Sequence, residues 1–153
     1  MIINAMSETE CRALLSRASM GRLGCSLNDQ PYVLPIHVAC ESDYIYVLST
    51  FGQKIQWMRA NPKVCVEIDE TGANSEWASV VVSGQYEELK EPQYSEERSH
   101  ARKLLEKRTQ WWQTAFAERQ LKAGDSLISP VFFRIHIDSV TGLRATANGK
   151  NQS

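Results

Sequence analysis

Short segments rich in β-branched and aromatic residues recur six times along this chain, and they constrain its fold more than any other feature. Turn-forming clusters separate them, such as Asn28-Asp29-Gln30-Pro31 and Ser42-Asp43. Strands that follow one another so closely favour antiparallel pairing over parallel βαβ units. The sequence therefore predicts a mainly β protein, a six-stranded antiparallel barrel with flanking helices. The predicted strands are 22–27, 32–40, 44–49, 64–69, 77–86 and 131–137.

Three helices are predicted beside these strands. The first begins at a capping box, in which the Ser7 hydroxyl accepts from the Glu10 amide and the Glu10 carboxylate accepts from the Ser7 amide. The second covers 54–61 and ends at Asn61-Pro62, and the third is a charged amphipathic helix over 96–108. A length of 153 residues is typical of one domain, which we place at 1–147, followed by a disordered tail at 148–153.

Composition excludes several classes of function. The formal net charge of −1 provides no overall attraction to nucleic acid. No apolar run is long enough to cross a bilayer, and the first residues lack the basic and apolar segments of a signal peptide. We therefore expect a cytoplasmic protein with neither a nucleic-acid partner nor a membrane partner.

The cysteines and histidines lack the spacing of a metal site. Cys11, Cys25, Cys40 and Cys65 lie at least 14 residues apart, and the three histidines show no ligand pattern. Cytosolic thiols are kept reduced, and free thiols are usually buried. We expect no metal, no disulfide and four cysteines that pack the core.

The junction between the third strand and the second helix has a composition that suits an anion. Ser49 and Thr50 supply hydroxyls, Gly52 follows, and Lys54 adds a positive charge at the helix start. The amides and dipole at a helix N-terminus also attract an anion. The Gly-Lys-Ser/Thr order of a P-loop is absent, and a capped surface turn with a solvated lysine has the same composition.

Pro35 interrupts the second predicted strand. Because proline has no N–H to donate, its strand is expected to be an edge, to carry a bulge, or to present this position to a ligand instead of a neighbouring strand.

The order of these features resembles that of the pyridoxamine-phosphate oxidase-like split barrels, specifically the branch that contains the nitroimidazole-resistance proteins. The resemblance covers most of the chain. The motifs that carry it are Gly21-Arg22-Leu23-Gly24, Pro31-Tyr32-Val33-Leu34-Pro35-Ile36, Ile45-Tyr46, Gly52-Gln53-Lys54-Ile55, Asn61-Pro62-Lys63-Val64-Cys65-Val66-Glu67-Ile68-Asp69, Ser79-Val80-Val81-Val82-Ser83-Gly84-Gln85-Tyr86, Trp111-Trp112, Phe133-Arg134-Ile135 and Thr141-Gly142-Leu143-Arg144. It implies a Greek-key split barrel that forms a homodimer, with FMN in a groove at the subunit interface.

The resemblance also implies which residues hold the FMN phosphate. Lys54 is expected to be the chief cation, with hydrogen bonds from Ser49, Thr50 and Gln53. In nitroimidazole-resistance relatives a histidine commonly follows the aromatic of the third strand, whereas this chain has Leu48 at the matching position. That difference bears on nitro-group reduction more than on flavin binding.

The flavin ring is expected along the second strand, beside Pro35, Ile36 and His37. His37 can hydrogen-bond a flavin carbonyl or donate a proton, although a lone strand histidine is also a common structural residue. Trp111 and Trp112 are adjacent and cannot both face one core if helical, so Trp112 is expected over the flavin. Core and lid packing is the alternative.

An FMN-dependent oxidoreductase that acts on an unidentified small molecule is therefore the leading hypothesis, because the cofactor performs the chemistry and no residue stands out as a dedicated acid, base or nucleophile. One alternative is a flavin-binding or flavin-storing protein without turnover. Another is a split barrel that binds haem, for which His37 is the candidate axial ligand. A third is a dimeric scaffold with an empty groove.

Overall fold

The computed structural model describes residues 1–108 and 130–147. In this part the chain forms antiparallel strands and three α-helices, so the predicted mainly β fold is confirmed. The strands are β1 (Ile2–Ala5), β2 (Met20–Leu27), β3 (Gln30–His37), β4 (Ala39–Glu41), β5 (Tyr44–Thr50), β6 (Lys63–Thr71), β7 (Trp77–Glu88) and β8 (Pro130–Thr146). The helices are α1 (Glu8–Arg17), α2 (Gln53–Ala60) and α3 (Ser95–Arg108).

The predicted count of six strands is wrong, because the described residues form eight. The predicted strand 32–40 divides at Val38, whose amide donates to the carbonyl of Ser19 at 3.1 Å. There the chain leaves β2 and begins to pair with β5 as β4. The other added strand is β1, which pairs with the far end of β8 because β8 continues to Thr146, well past the predicted end.

The strands join in the order β3-β2-β6-β7-β8-β5-β4, with β1 attached to β8. Among the described residues no ladder links β3 to β5, so the sheet does not close into a hydrogen-bonded barrel. The strands β3 and β4 thus stand at the two ends of one curved sheet, although Val38 alone separates them in sequence.

The main core fills the concave side of the sheet. Leu14 of α1, Leu23 of β2, Ile55 of α2, Val66 of β6 and Phe133 of β8 are all fully buried there. The predicted capping box is present at the start of α1, with hydrogen bonds of 3.1 and 3.2 Å between Ser7 and Glu10. Burial of such apolar side chains is the main stabilising term of the fold.

A second, smaller cluster lies between α3 and the other face of β5. It explains why three consecutive residues of β5 are buried: Ile45 and Val47 face the main core, and Tyr46 faces α3. The remaining buried members are Ala39, Leu89, Ala101, Leu105 and Phe132.

The cysteines depart from their predicted role at one position. Three are buried, and burial raises the pKa of Cys40 to about 12. Cys65 is exposed, because Val64 and Val66 take the inward positions of β6 and leave it on the convex face. All four thiols are free.

None of the described helices is long and apolar enough to span a membrane. No three histidine, cysteine, aspartate or glutamate side chains in residues 1–108 and 130–147 gather in a way that could hold a metal ion.

Candidate functional site

The junction between β5 and α2 exposes the start of a helix. The first helical hydrogen bond runs from the Gln56 amide to the Gly52 carbonyl at 3.1 Å, so the amides of 53–55 precede the helical ladder. Within the described part of the chain, no side chain caps this end. Such a helix start presents N–H donors and the positive end of the helix dipole to an incoming anion.

Gly52 leaves room in front of that helix start. Its backbone is extended, with φ 180°, a conformation that any residue adopts. A Cβ built at this position meets no described atom within 4 Å. No described atom therefore blocks the space directly beside Gly52.

Two of the predicted phosphate ligands lie in the first turn of α2. Gln53 is exposed and Lys54 is half-buried in the first turn of α2. Lys54 lies near β2: burial raises the pKa of Cys25, and the charge of Lys54 partly opposes that rise. The positive charge is thus held between the helix start and the strand β2.

The two hydroxyl residues differ in what they offer. Ser49 donates to the carbonyl of Thr50 at 2.9 Å, so this hydroxyl proton is engaged within β5. Thr50 is the last residue of β5 and pairs with Pro130. Of the two, Thr50 is better placed to donate to a ligand at the helix start.

Pro35 lies in an edge strand, as predicted. β3 ends the sheet order, and Pro35 pairs with Arg22 of β2 on one side only. Its missing N–H therefore disrupts no ladder. Pro35 is exposed, Ile36 faces the core and His37 is half-buried.

The two parts of the predicted site lie on β3 and at the end of β5, and we call the gap between these two strands the split. The β4–β5 ladder begins where Ala39 pairs with Tyr46 and continues with Cys40 opposite Ile45. Among the described residues β3 and β5 share no hydrogen-bonded register. The nearest Cα atoms of β3 and β5 come within 8 Å.

His37 is a neutral group at the edge of this split. Burial lowers the pKa of its imidazole, and a backbone hydrogen bond with Ser19 opposes that shift. Its Nδ1 is shielded from solvent. A neutral imidazole both donates and accepts hydrogen bonds.

Two further predictions concern residues near the split. Leu48 is half-buried and packs against the cluster under α3, so it replaces the histidine of the related proteins with an apolar contact. Trp112, expected over the flavin ring, lies outside the described residues.

An ion-pair network beside the junction was not predicted from the sequence. Arg59 donates twice to Glu88, at 2.7 and 2.9 Å, and the Tyr86 hydroxyl donates to Glu88 at 2.6 Å. The Arg59 guanidinium carbon lies 5.2 Å from the centre of the Phe51 ring. Glu88 is 29 residues from Arg59, so no local pattern connects the two. The only indication in the sequence was Phe51, an aromatic residue inside a polar loop.

Two groups in this network, Glu88 and Tyr86, have shifted pKa values. Burial alone would raise the pKa of Glu88, but hydrogen bonds from Arg59 and Tyr86 outweigh it and lower that pKa. Burial and the hydrogen bond to Glu88 raise the pKa of Tyr86. Glu88 is therefore ionised at neutral pH, and Tyr86 keeps its proton.

The convex face of the sheet carries an open groove of about 510 Å³, which is lined by the small residues Gly24, Cys65 and Ser83. The exposed apolar residues Met20, Val33, Val81 and Leu143 lie on β2, β3, β7 and β8. We call this surface the convex face. Exposed apolar surface of this kind marks an interaction site more often than a solvated surface.

Comparison with known proteins gives consistent results. Residues 7–144 match the pyridoxamine 5'-phosphate oxidase family. An uncharacterized protein of Rhizobium meliloti strain 1021 is 39% identical over 148 residues, which are 96% of this chain and 98% of that protein.

Two solved structures share the fold. An FAD-binding protein of Mesorhizobium loti is 39% identical with a TM-score of 0.79, and the match covers 96% of this chain and 99% of that one. A candidate 5-nitroimidazole antibiotic resistance protein of Bacteroides thetaiotaomicron is 17% identical with a TM-score of 0.69, covering 94% of this chain and 89% of that one. The resemblance inferred from the motifs is thereby confirmed, and the chain belongs to the pyridoxamine 5'-phosphate oxidase family.

Proposed function

We propose that this protein binds a flavin, with the phosphate at the start of α2 and the isoalloxazine ring in the split. The observation that carries the proposal is the uncapped helix start beside Gly52, which faces open space and has Lys54 in its first turn. The similarity to an FAD-binding protein at 39% identity supports the same cofactor class. We infer that the flavin is FMN, because FMN has a single phosphate and the start of α2 provides a single phosphate site.

The residues present suit such a group. The amides of 53–55, Gln53, Thr50 and Lys54 provide donors and one positive charge for a phosphate dianion. Charge-assisted hydrogen bonds of this type are about twice as strong as neutral ones. The Ser49 hydroxyl donates to the carbonyl of Thr50 in this structure, so it must rotate away from that carbonyl to donate to the phosphate.

The edge of β3 positions the ring. Pro35 presents no N–H, and the exposed edge of β3 offers carbonyl and amide groups to a flat heterocycle instead of to another strand. His37 remains neutral and can donate to a flavin carbonyl or accept from a ring N–H. When bound, the flavin supplies hydride or single-electron transfer, and these residues orient it and restrict water.

A homodimer completes the proposed site. Pro35 is exposed in a single chain, and the convex face offers exposed Val33 and Val81 for a second copy. Symmetric dimers are the commonest assembly of soluble proteins, and each uses one self-complementary patch. A partner on this face would cover Pro35, which shares it, and would limit the access of water to the proposed site.

We further propose that the bound flavin is turned over, which makes the protein an oxidoreductase of small molecules. Flavin storage without turnover is the second candidate. A haem-binding role is the third, favoured by the neutral imidazole of His37 at the edge of the split.

The test is the absorption spectrum of the full chain after incubation with FMN and gel filtration. Yellow colour that elutes with a dimer supports the proposal, and colourless protein refutes it. A Soret band after incubation with haemin, without flavin retention, would favour the haem alternative. Anaerobic addition of a reduced nicotinamide separates the first two candidates, because bleaching of the flavin absorbance is expected of an oxidoreductase and retained colour of a storage protein.

A further inference from the structure

Two features account for the groove on the convex face. Gly24 of β2 has no side chain, and a Cβ built there would lie only 2.7 Å from the Cys65 sulfur, so that sulfur lies over β2 beside Gly24. A β-bulge between Ser83 and Gly84 bends β7 at the same level of the sheet. The volume of about 510 Å³ is in the range of small-molecule sites, which is about 300–1,000 Å³.

The groove offers hydrogen-bond donors that the described part of the chain leaves unused. The ammonium of Lys63 forms no ion pair with any described residue, and the Ser83 hydroxyl forms no hydrogen bond with one. The Ser26 hydroxyl accepts from the side-chain amide of Asn61 at 3.3 Å, which leaves its own proton free to donate. The groove is thus equipped to bind an acceptor.

The carboxylate among the described lining residues, that of Asp138, is already engaged. It accepts from the Gln85 side-chain amide at 3.3 Å and lies 3.0 Å from Nδ1 of His136. It does not come within ion-pair distance of Lys63. One free cation with hydroxyl donors beside it matches a carboxylate, because charge-assisted hydrogen bonds are the strongest contacts such a set can make.

One wall of the groove is apolar. Pro31 and Val33 of β3 line it, and the Val33 side chain is 66% exposed. Pro35 lies two residues further along the same face of β3, about 7 Å from Val33. A flat molecule on this wall would therefore extend toward the position proposed for the flavin ring.

The proposed dimer gives the unpaired ammonium its significance. Val33 lines the groove and also belongs to the apolar surface proposed for the second copy. A second copy on that surface would withdraw Lys63 from water, and a desolvated ammonium without a counter-charge is unfavourable. An anion bound in the groove would supply that counter-charge.

We propose that this groove is the substrate site and takes a small organic acid. The carboxylate lies between Lys63 and Ser83, and the apolar body of the acid lies along β3 toward Pro35. The inference rests on the flavin and the convex-face dimer of the proposed function, and it names the substrate class of that site.

The experiment is a set of calorimetric titrations of the full chain, with and without FMN, using benzoate and benzamide as probes. The two probes have nearly the same shape and differ in charge. The wild type is expected to bind benzoate at least fivefold more tightly than benzamide. Lys63→Ala should lose most of that preference, and Lys63→Arg should keep it.

Two further variants complete the set. Ser83→Ala removes one neutral donor and should lower benzoate affinity about 2- to 10-fold. Lys103→Ala removes an exposed lysine from α3, far from the groove in sequence and on another element, and should change neither affinity.

The outcomes separate this inference from the flavin proposal. Equal affinity of the wild type for benzoate and benzamide overturns the inference, and the flavin proposal stands if FMN is retained. A benzoate preference that survives in Lys63→Ala also overturns it, and loss of the dimer in that variant would assign Lys63 to a carboxylate of the second copy. A benzoate preference that depends on Lys63, in a protein that retains no flavin, refutes the flavin proposal while the acid site stands.

Discussion

Arg59 and Glu88 form a two-point ion pair, in which Nε donates to Oε1 at 2.7 Å and Nη2 donates to Oε2 at 2.9 Å. This pair ties α2 to β7, two elements that are otherwise distant along the chain. The first prediction follows from the burial of the Glu88 side chain in this pair. Glu88→Gln is expected to lower the free energy of unfolding at pH 7 by about 1–3 kcal/mol, because Arg59 and Tyr86 lose a charged acceptor.

Urea denaturation at several pH values measures that effect. Because the folded pKa of Glu88 is lowered, its contribution is present above about pH 4.5 and is lost as the pH falls through the folded pKa. The difference between wild type and Glu88→Gln should therefore shrink in acid. Glu8→Gln breaks an exposed ion pair with Arg12 and should cost less than about 1 kcal/mol. Equal effects of the two variants would contradict this account.

Gly52→Asp separates helix stability from ligand binding. An aspartate at this N-cap can accept from the first-turn amides, which should stabilise the protein by about 0.5 kcal/mol. The same carboxylate occupies and repels the phosphate site, so FMN affinity should fall at least 10-fold. Gly52→Ala adds no charge and should retain affinity. Thermal denaturation measures the change in stability, and fluorescence titration measures the change in FMN affinity. Unchanged affinity in Gly52→Asp would mean that the phosphate lies elsewhere.

Lys54→Ala should weaken FMN binding by roughly 10- to 150-fold, since one charge-assisted contact to a phosphate contributes about 1.5–3 kcal/mol. Riboflavin, which lacks the phosphate, should bind the variant and the wild type alike. Lys103→Ala removes an exposed lysine from α3 and serves as the matched control. A similar loss for riboflavin would show that Lys54 supports the fold and not the phosphate.

Stability should depend on His37 at mildly acidic pH. The unfolded imidazole takes its proton near pH 6.5, while burial lowers the folded pKa. The unfolded state therefore binds more protons below pH 6.5, and the free energy of unfolding falls as the pH falls toward the folded pKa. His37→Gln should flatten this part of the pH profile in urea denaturation. His136→Gln, at an exposed position on β8, should still lose stability as the pH falls. The reverse pattern would contradict the assignment of this pH dependence to His37.

Val81→Lys tests the convex face as the proposed dimer interface. Two copies related by a twofold axis would bring like charges together at the centre of the apolar surface, so gel filtration should show a monomer with reduced flavin retention. Ser99→Lys places the same charge on the exposed side of α3 and should remain dimeric. A dimeric Val81→Lys would place the interface on another surface.

Local patterns predicted much of this fold because they act over a few residues. The Ser7–Glu10 box set the start of α1, and alternation of apolar residues set β6 and β7. The break at Val38 was missed, since no glycine or proline marks it and its cause is a hydrogen bond to Ser19. The strand β1 was missed because four residues cannot show a period, and its existence depends on the far end of β8.

The candidate site shows the same division. The loop at Gly52 and Lys54 was found from residue types that are adjacent in sequence. The contact between Arg59 and Glu88 depends on how α2 packs against β7, which no local pattern contains. The approach of β3 to β5, whose nearest Cα atoms come within 8 Å, likewise depends on the tertiary fold. The exposure of Cys65 was recoverable from the alternation of β6, although burial of all four thiols was predicted.

The partner change at Val38 has a mechanical consequence. The end strands β3 and β4 are joined through Val38 alone, so the two ends of the sheet cannot separate at this point without rotation of the backbone beside it. The hydrogen bond from the Val38 amide to the Ser19 carbonyl opposes such rotation. The covalent connection and this one hydrogen bond therefore limit how far the two ends of the sheet can part near Val38.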